Sequence, residues 1–229
     1  MKKIITAIAF IALTTVSAKA VDFGAFSLTA GLAQKQAVFG ASGTEKEFDE
    51  DGTSGAQTQI NKEHGVFLDD FASGFVEVNI GDYFSVGYEI NTDPIRTPTN
   101  TTNEGENNQN IVQVDFDDLT TSYVKLNLPG GMYGKMGWTE VDITLTHTSA
   151  ASTTYTKPGS TEGEVIGLGY QGHVQDTGFG YRIETLYHSF DNVKSNNGAA
   201  TTANRNEIEV TNMEGVSASF ALTYTLGRN

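Results

Sequence analysis
Hydrophobic and small polar residues alternate along most of this chain. From Phe26 the order is Phe, Ser, Leu, Thr, Ala, Gly, Leu, Ala. A period of two marks a strand whose two faces meet different surroundings. The pattern returns at 75–80, 84–91, 121–128, 132–139, 166–173, 181–188 and 216–226, which predicts eight strands. No window of similar length carries a helical stripe.

The connections fall into two classes. Gly81-Asp82-Tyr83, Pro129-Gly130-Gly131 and the segment around Asp176-Thr177-Gly178 are short and carry glycine where a hairpin turn needs positive φ. Residues 40–70, 92–112, 145–162 and 191–210 are polar and are expected as long loops. Short and long connections alternate strictly. With an even strand number, that is the layout of an all-β, antiparallel transmembrane barrel with short periplasmic turns and long extracellular loops.

The two faces decide between a lipid-facing barrel and a soluble one. One face carries Phe26, Leu28, Leu32, Val76, Val78, Ile80, Val86, Tyr88, Leu126, Met136, Trp138, Ile166, Leu168, Ile183 and Leu222. The other is mostly Gly, Ser, Thr, Asn and Gln, with Glu77, Glu89, Lys125, Lys135, Arg182 and Glu184. Those six charges cancel. A solvated surface is densely charged, whereas a few balanced ions among small residues suit a packed lumen in which charges must pair. The apolar face is therefore expected to meet lipid. Tyr83, Phe84, Tyr133, Phe179 and Tyr181 near the short turns, and Tyr88, Trp138 and Tyr187 toward the long loops, are expected as two interfacial girdles. Gly31, Gly87, Gly137, Gly167 and Gly169 on the lumen face could leave a thin water path.

Residues 1–20 read as a secretory leader. Lys2 and Lys3 precede the apolar run Ile4–Val16, and Ala18-Lys19-Ala20 fits a small-residue cleavage site. Cleavage after Ala20 leaves 21–229 as the barrel domain. The formal charge of −14 becomes −17 with the loss of Lys2, Lys3 and Lys19. An acidic chain argues against nucleic acid as partner. The absence of cysteine excludes disulfides, thiolate metal sites and cysteine nucleophiles.

Together, the leader, the eight strands and the alternating turns and loops resemble the small outer-membrane barrels of the OmpA transmembrane-domain, OmpX and opacity-protein type. The segment GFGYRIETLYHSF is similar to their penultimate strand. The segment GVSASFALTYTLG, with Phe220, Leu222, Tyr224 and Leu226 at alternate positions, is similar to their C-terminal assembly signal, although this chain ends in Leu226-Gly227-Arg228-Asn229. The resemblance implies outer-membrane lipid, lipopolysaccharide and the barrel-assembly machinery as partners.

Candidate chemistry is sparse. Gly167-Leu168-Gly169-Tyr170-Gln171-Gly172 matches G-x-G-x-x-G, but it lies inside an alternating strand with no helix after it, so a dinucleotide site lacks its context. His147 and Ser149, with Glu162 or Glu164 downstream, are similar to the His-x-Ser of outer-membrane lipid A deacylases. Glu45, Glu47, Asp49, Glu50 and Asp51 form an acidic run in the first long loop that could bind a cation, without EF-hand order. Asp69-Asp70 and Asp117-Asp118 invite comparison with outer-membrane aspartate proteases, which have more strands. His173 and His188 fall in lumen phase and could join Arg182 and Glu184. No catalytic residue, resident metal or cofactor is assigned. The expected role is non-enzymatic: a structural or surface-interaction protein whose loops meet an extracellular ligand. A narrow, weakly cation-preferring channel is the alternative, and a lipid A deacylase the third reading.

Overall fold
The computed structural model describes residues 24–48, 57–103, 109–148, 159–175, 177–198 and 207–227. The leader 1–20, Asp49, Glu50, Asp51 and Ser149 lie outside them. Eleven strands form one antiparallel sheet: β1 (Phe26–Phe48), β2 (Gln57–Ile80), β3 (Phe84–Asn91), β4 (Ile95–Arg96), β5 (Asn100–Asn103), β6 (Gln109–Asn127), β7 (Met132–Thr148), β8 (Ser160–His173), β9 (Phe179–Phe190), β10 (Val193–Asn196) and β11 (Glu207–Leu226). The wall runs β1-β2-β3-β6-β7-β8-β9-β11, and β11 pairs back onto β1 with Leu28 opposite Leu226. The ring therefore closes through eight strands, as the alternation predicts. Closure removes the unpaired edges that a lipid-embedded sheet cannot tolerate. Short pieces β4 and β5 extend the wall against β6, and β10 extends it against β11.

The registers fix the barrel's shape. A row of paired residues through Ile90 runs one way by Gly74, Leu32 and Leu222 to Tyr181. The other way it runs by Thr120 and Glu140 to Glu162, whose carbonyl accepts from the N–H of Asp191. The row thus meets β9 twice, at positions 181 and 191, a stagger of ten residues. Eight strands with that stagger tilt by about 42° and enclose a ring about 17 Å across between backbones. Such a bore is filled by its own side chains.

Strand parity is as the sequence implies. Outward residues include Trp138 at 60% exposure, Leu168 at 62% and Leu222 at 63%, while Glu77, Lys125 and Arg182 face in at 1–5%. An apolar band of this extent has no stable contact with water and is the face for lipid. One aromatic position departs from the expected girdles. Tyr133 is fully buried in the lumen, because it shares the parity of Lys135. Tyr224 is 8% exposed, covered by the ring of Phe179 at 5.0 Å.

The long loops are the main correction. Of residues 40–70, all but 49–56 belong to β1 and β2, whose 23 and 24 residues pair as far as Phe48 and Gln57. β7 likewise runs to Thr148, and β11 begins at Glu207. Polar composition suggested loops, but a ladder continues wherever backbone groups can still pair, whatever the faces meet. At about 3.3 Å per residue and the tilt above, β2 rises about 59 Å, against an apolar band about 25 Å tall. The remainder projects beyond the membrane as extended hairpin wall.

The wall is uneven. β3 is only eight residues long, and its pairing with β2 ends at Ser73 opposite Asn91. Above that point the N–H of Thr92 donates to Ala72 O, and the N–H of Arg96 donates to Asp69 Oδ2. β4 pairs with β6 through Ile95 opposite Phe116.

Candidate functional site: a sealed lumen under an apolar vestibule
The six lumen charges expected from parity do meet. Glu77 on β2 accepts from Lys125 Nζ at 2.5 Å, from Arg182 at 3.1 and 3.2 Å, and from the Tyr123 hydroxyl at 3.0 Å. Glu89 on β3 accepts from Lys135 at 2.9 Å and from the Ser73 hydroxyl at 2.7 Å, and pairs with Lys35. Lys135 also donates to Glu184 at 3.0 Å, and Glu184 accepts from the Tyr133 hydroxyl at 2.9 Å. Gln171 Oε1 accepts from Lys125 at 2.9 Å. The rings interlock with the cations: Lys135 Nζ stands 4.1 Å from the Tyr123 centroid, and the Arg182 guanidinium 4.7 Å from that of Phe75.

Two features correct the sequence reading. Lys35 is a seventh buried ion, so among the described residues four buried cations stand against three buried carboxylates, one net positive charge. Alternation within Phe26–Ala33 stops one inward position short of Lys35, which continues the same face of β1. The lumen glycines also leave no water path. A Cβ at Gly87 would meet the Tyr123 ring, one at Gly169 the Tyr133 ring, and one at Gly31 the Phe75 ring. The glycines seat the aromatics that seal the bore. Tyr123, Tyr133, Glu77 and Lys125 are at most 2% exposed, so water does not thread past them.

Above this plug the inward face turns apolar. Ala37 and Phe39 on β1, Phe71 on β2, Ile95 on β4, Leu119 on β6 and Val141 on β7 form one cluster, with Phe67, Phe116 and Phe190 packed against it. All of these but Ala37 and Phe71 line a small cavity of about 30 Å³, open at one side, together with Gly40, Ala41, Met213 and Glu214. Parity could have revealed it. Along β1 the inward series runs Thr29, Gly31, Ala33, Lys35, Ala37, Phe39, polar below and apolar above.

Other candidates do not assemble. Glu162 pairs opposite Glu140, and Glu164 opposite Trp138. His147, opposite Val112, is seven residues further along β7 than Glu140, about 23 Å of strand. The registers set neither carboxylate beside position 147. Glu45 and Glu47 lie in β1 rather than in a loop, and the other three acids of the run lie outside the described residues. Among the described residues no cluster of His, Asp and Glu is arranged to hold a metal. Asp69 and Asp117 are on different strands. The G-x-G-x-x-G glycines lie within β8. His188 does not join Arg182 and Glu184; its Nε2 is 2.9 Å from Ser217 Oγ, and its ring stacks on Phe190. His173 is exposed at the short-turn end of β8.

A closed eight-stranded wall with an outward apolar band, a sealed polar lumen and short turns at one end defines the small outer-membrane β-barrel fold. Solved structures agree. The outer membrane protein OprG from Pseudomonas aeruginosa superposes with a TM-score of 0.55 at 13% identity, over 86% of this chain and 97% of that one. The outer membrane protein AlkL superposes with a TM-score of 0.51 at 10% identity, over 93% and 95%. No family model matches the sequence, and no curated protein matches it significantly.

Proposed function
We propose that the protein is a non-enzymatic barrel of the bacterial outer membrane that receives a small apolar molecule in its outer vestibule. The observation that carries this reading is the vestibule itself: eight apolar walls, Phe39, Phe67, Ile95, Phe116, Leu119, Val141, Phe190 and Met213, standing over a plugged lumen. Burying a ligand's apolar surface there stabilises it by about 25 cal/mol per Å². The plug blocks passage along the axis. Where β3 stops short, the wall beside the vestibule is held by few backbone bonds and offers a sideways route to lipid. Lipid surrounds the belt, the assembly machinery inserts the chain, and the projecting hairpins face lipopolysaccharide and any further extracellular ligand. The closed bore disfavours the narrow-channel reading.

The test uses the mature chain refolded into lipid nanodiscs, with folding checked by the gel shift between boiled and unboiled samples. N-phenyl-1-naphthylamine should bind saturably at one site. Ala41→Trp, which fills the cavity from β1, should abolish that binding. The same protein in a planar bilayer should stay electrically silent. Unsaturable probe uptake equal in wild type and variant, or discrete conductance steps, would sink the proposal.

A further inference from the structure
Beyond the cavity's own lining, two buried polar side chains have an atom without a hydrogen-bond partner. His188 on β9 is 2% exposed, with its ring stacked on Phe190 at 6.3 Å and edge-on to Phe39 at 5.8 Å. Both phenylalanines line the cavity. Its Nε2 is engaged with Ser217 Oγ at 2.9 Å, and its Nδ1 has no partner. Asn91 at the top of β3 is 5% exposed, and its Nδ2 also has no partner. A buried polar atom left unpaired is destabilising, and most such atoms are satisfied in native proteins.

The registers put these two residues at one height on opposite walls. The row through Asn91 passes Ser73, Ala33 and Ala221 and reaches Arg182, four strands away of the eight. Because rows climb ten residues per circuit, the point on β9 level with Asn91 is five residues above Arg182, at position 187. Leu186 and His188 are the two adjacent inward residues, and His188 is the polar one. Thr121 and Thr139, hydroxyls 3.4 Å apart, lie on the inward face of β6 and β7. The apolar side walls thus end on a ring of hydrogen-bonding groups, and two of its members have capacity to spare.

We infer that this ring recognises the hydroxyl of an otherwise apolar molecule, an aliphatic or aromatic alcohol, with His188 Nδ1 as its anchor. The inference rests on the vestibule reading and names the class of molecule it takes. When Nε2–H donates to Ser217, Nδ1 accepts, and the ligand O–H donates to it. The hydroxyl oxygen reaches Asn91 Nδ2–H only through bridging water, because a lumen about 17 Å wide between backbones is too wide for one oxygen to touch both side chains. A ketone can use Asn91 but has nothing to give His188. A hydrocarbon satisfies neither. A hydroxyl also serves the other histidine tautomer, since it both donates and accepts.

The experiment is displacement of N-phenyl-1-naphthylamine from the full barrel in nanodiscs by cyclohexanol, cyclohexanone and methylcyclohexane, each corrected for its partition into lipid. Cyclohexanol should bind about five- to tenfold more tightly than methylcyclohexane, the worth of one buried hydrogen bond. His188→Phe should remove that preference and leave methylcyclohexane within about twofold. Because His188→Phe leaves Ser217 without its partner, the wild-type protein supplies a second readout. The side-chain ¹⁵N resonance of His188 Nδ1 should move on adding cyclohexanol and stay still on adding methylcyclohexane. Equal displacement by all three compounds, with the His188 resonance unmoved, would show that Nδ1 merely holds water; this inference would fall and the apolar vestibule would stand. If no compound displaces the probe, the vestibule reading itself fails and takes this inference with it.

Discussion
Glu77→Gln is the sharpest test of what holds the barrel shut. Glu77 is 1% exposed and accepts four hydrogen bonds, three of them from the cations Lys125 and Arg182. Glutamine keeps the shape and removes the charge. Lys125 and Arg182 then share the one amide oxygen left at position 77 and Gln171 Oε1, which is 2.9 and 3.5 Å from them. The net lumen charge rises from one positive to two. At an effective dielectric of 20, each unit pair about 4 Å apart is worth about 4 kcal/mol. Desolvation has already consumed much of that in the native pair, so the loss on breaking it is about 3–5 kcal/mol. The assay is guanidinium unfolding of the barrel in phospholipid vesicles, followed by emission of Trp138. That residue is the sole tryptophan, and its lipid-facing side chain should shift red on unfolding. The midpoint should fall at unchanged slope. Adding Lys125→Met to Glu77→Gln restores the original net charge and should recover at least about 1 kcal/mol of the loss. A cost below about 1 kcal/mol for Glu77→Gln, the range of solvated surface pairs, would refute a dry, charge-locked plug.

The same unfolding assay checks three further expectations. Lys135→Met should cost about 3–5 kcal/mol, because it strips partners from both Glu89 and Glu184, whereas Lys35→Met touches Glu89 alone and should cost about half as much. Equal losses would contradict that ordering. Gly87→Ala should cost about 1–3 kcal/mol by driving a Cβ into the Tyr123 ring; a neutral result would mean that the ring has room to move. Val76→Arg, at the middle of the outward series between Ile80 and Ala72 on β2, should cost about 2–4 kcal/mol, while a cost near zero would place that position outside the lipid core.

Parity made the wall legible and height did not. Every strand alternates, so a residue's face follows from odd or even position alone, and Glu77, Glu89, Lys125, Lys135, Arg182 and Glu184 could be set inside before any coordinate was known. Even the error at Tyr133 was one of weighing, since its parity with Lys135 already placed it inward. Where a strand stops is a different matter. The backbone ladder does not depend on whether Thr44 and Lys62 face water or lipid, so polar composition at 40–70 carries no signal of where β1 and β2 end, nor that Lys35 belongs with the lumen charges. The vestibule needed more than parity. Its walls come from segments as distant as Phe39, Ile95, Val141 and Phe190, and they meet only because the rows climb ten residues per circuit. Phe39 reaches His188 through Gly215, a pairing that no local pattern announces.

Plug and vestibule depend on each other physically. A bore about 17 Å wide can be filled by side chains, but filling it with ions alone leaves desolvated charge that must be fully paired. The aromatic rings seated over the glycines exclude water from the pairs, so each carboxylate keeps several donors at full strength. That dryness continues upward. Phe71 and Ala37 stand directly above Ser73 and Lys35 on the same inward faces, and they keep solvent in the vestibule away from the Lys35–Glu89 pair. The apolar walls therefore serve the plug as well as any ligand. A molecule that enters meets a floor it cannot pass, and it leaves either the way it came or past the short strand β3. Weakening the plug with Glu77→Gln should then admit ions along the axis without changing apolar binding above. Closing the seam beside β3 with a cross-link between positions 69 and 96, where an N–H already reaches a carboxylate at 2.8 Å, should slow apolar transfer to lipid while the axis stays shut.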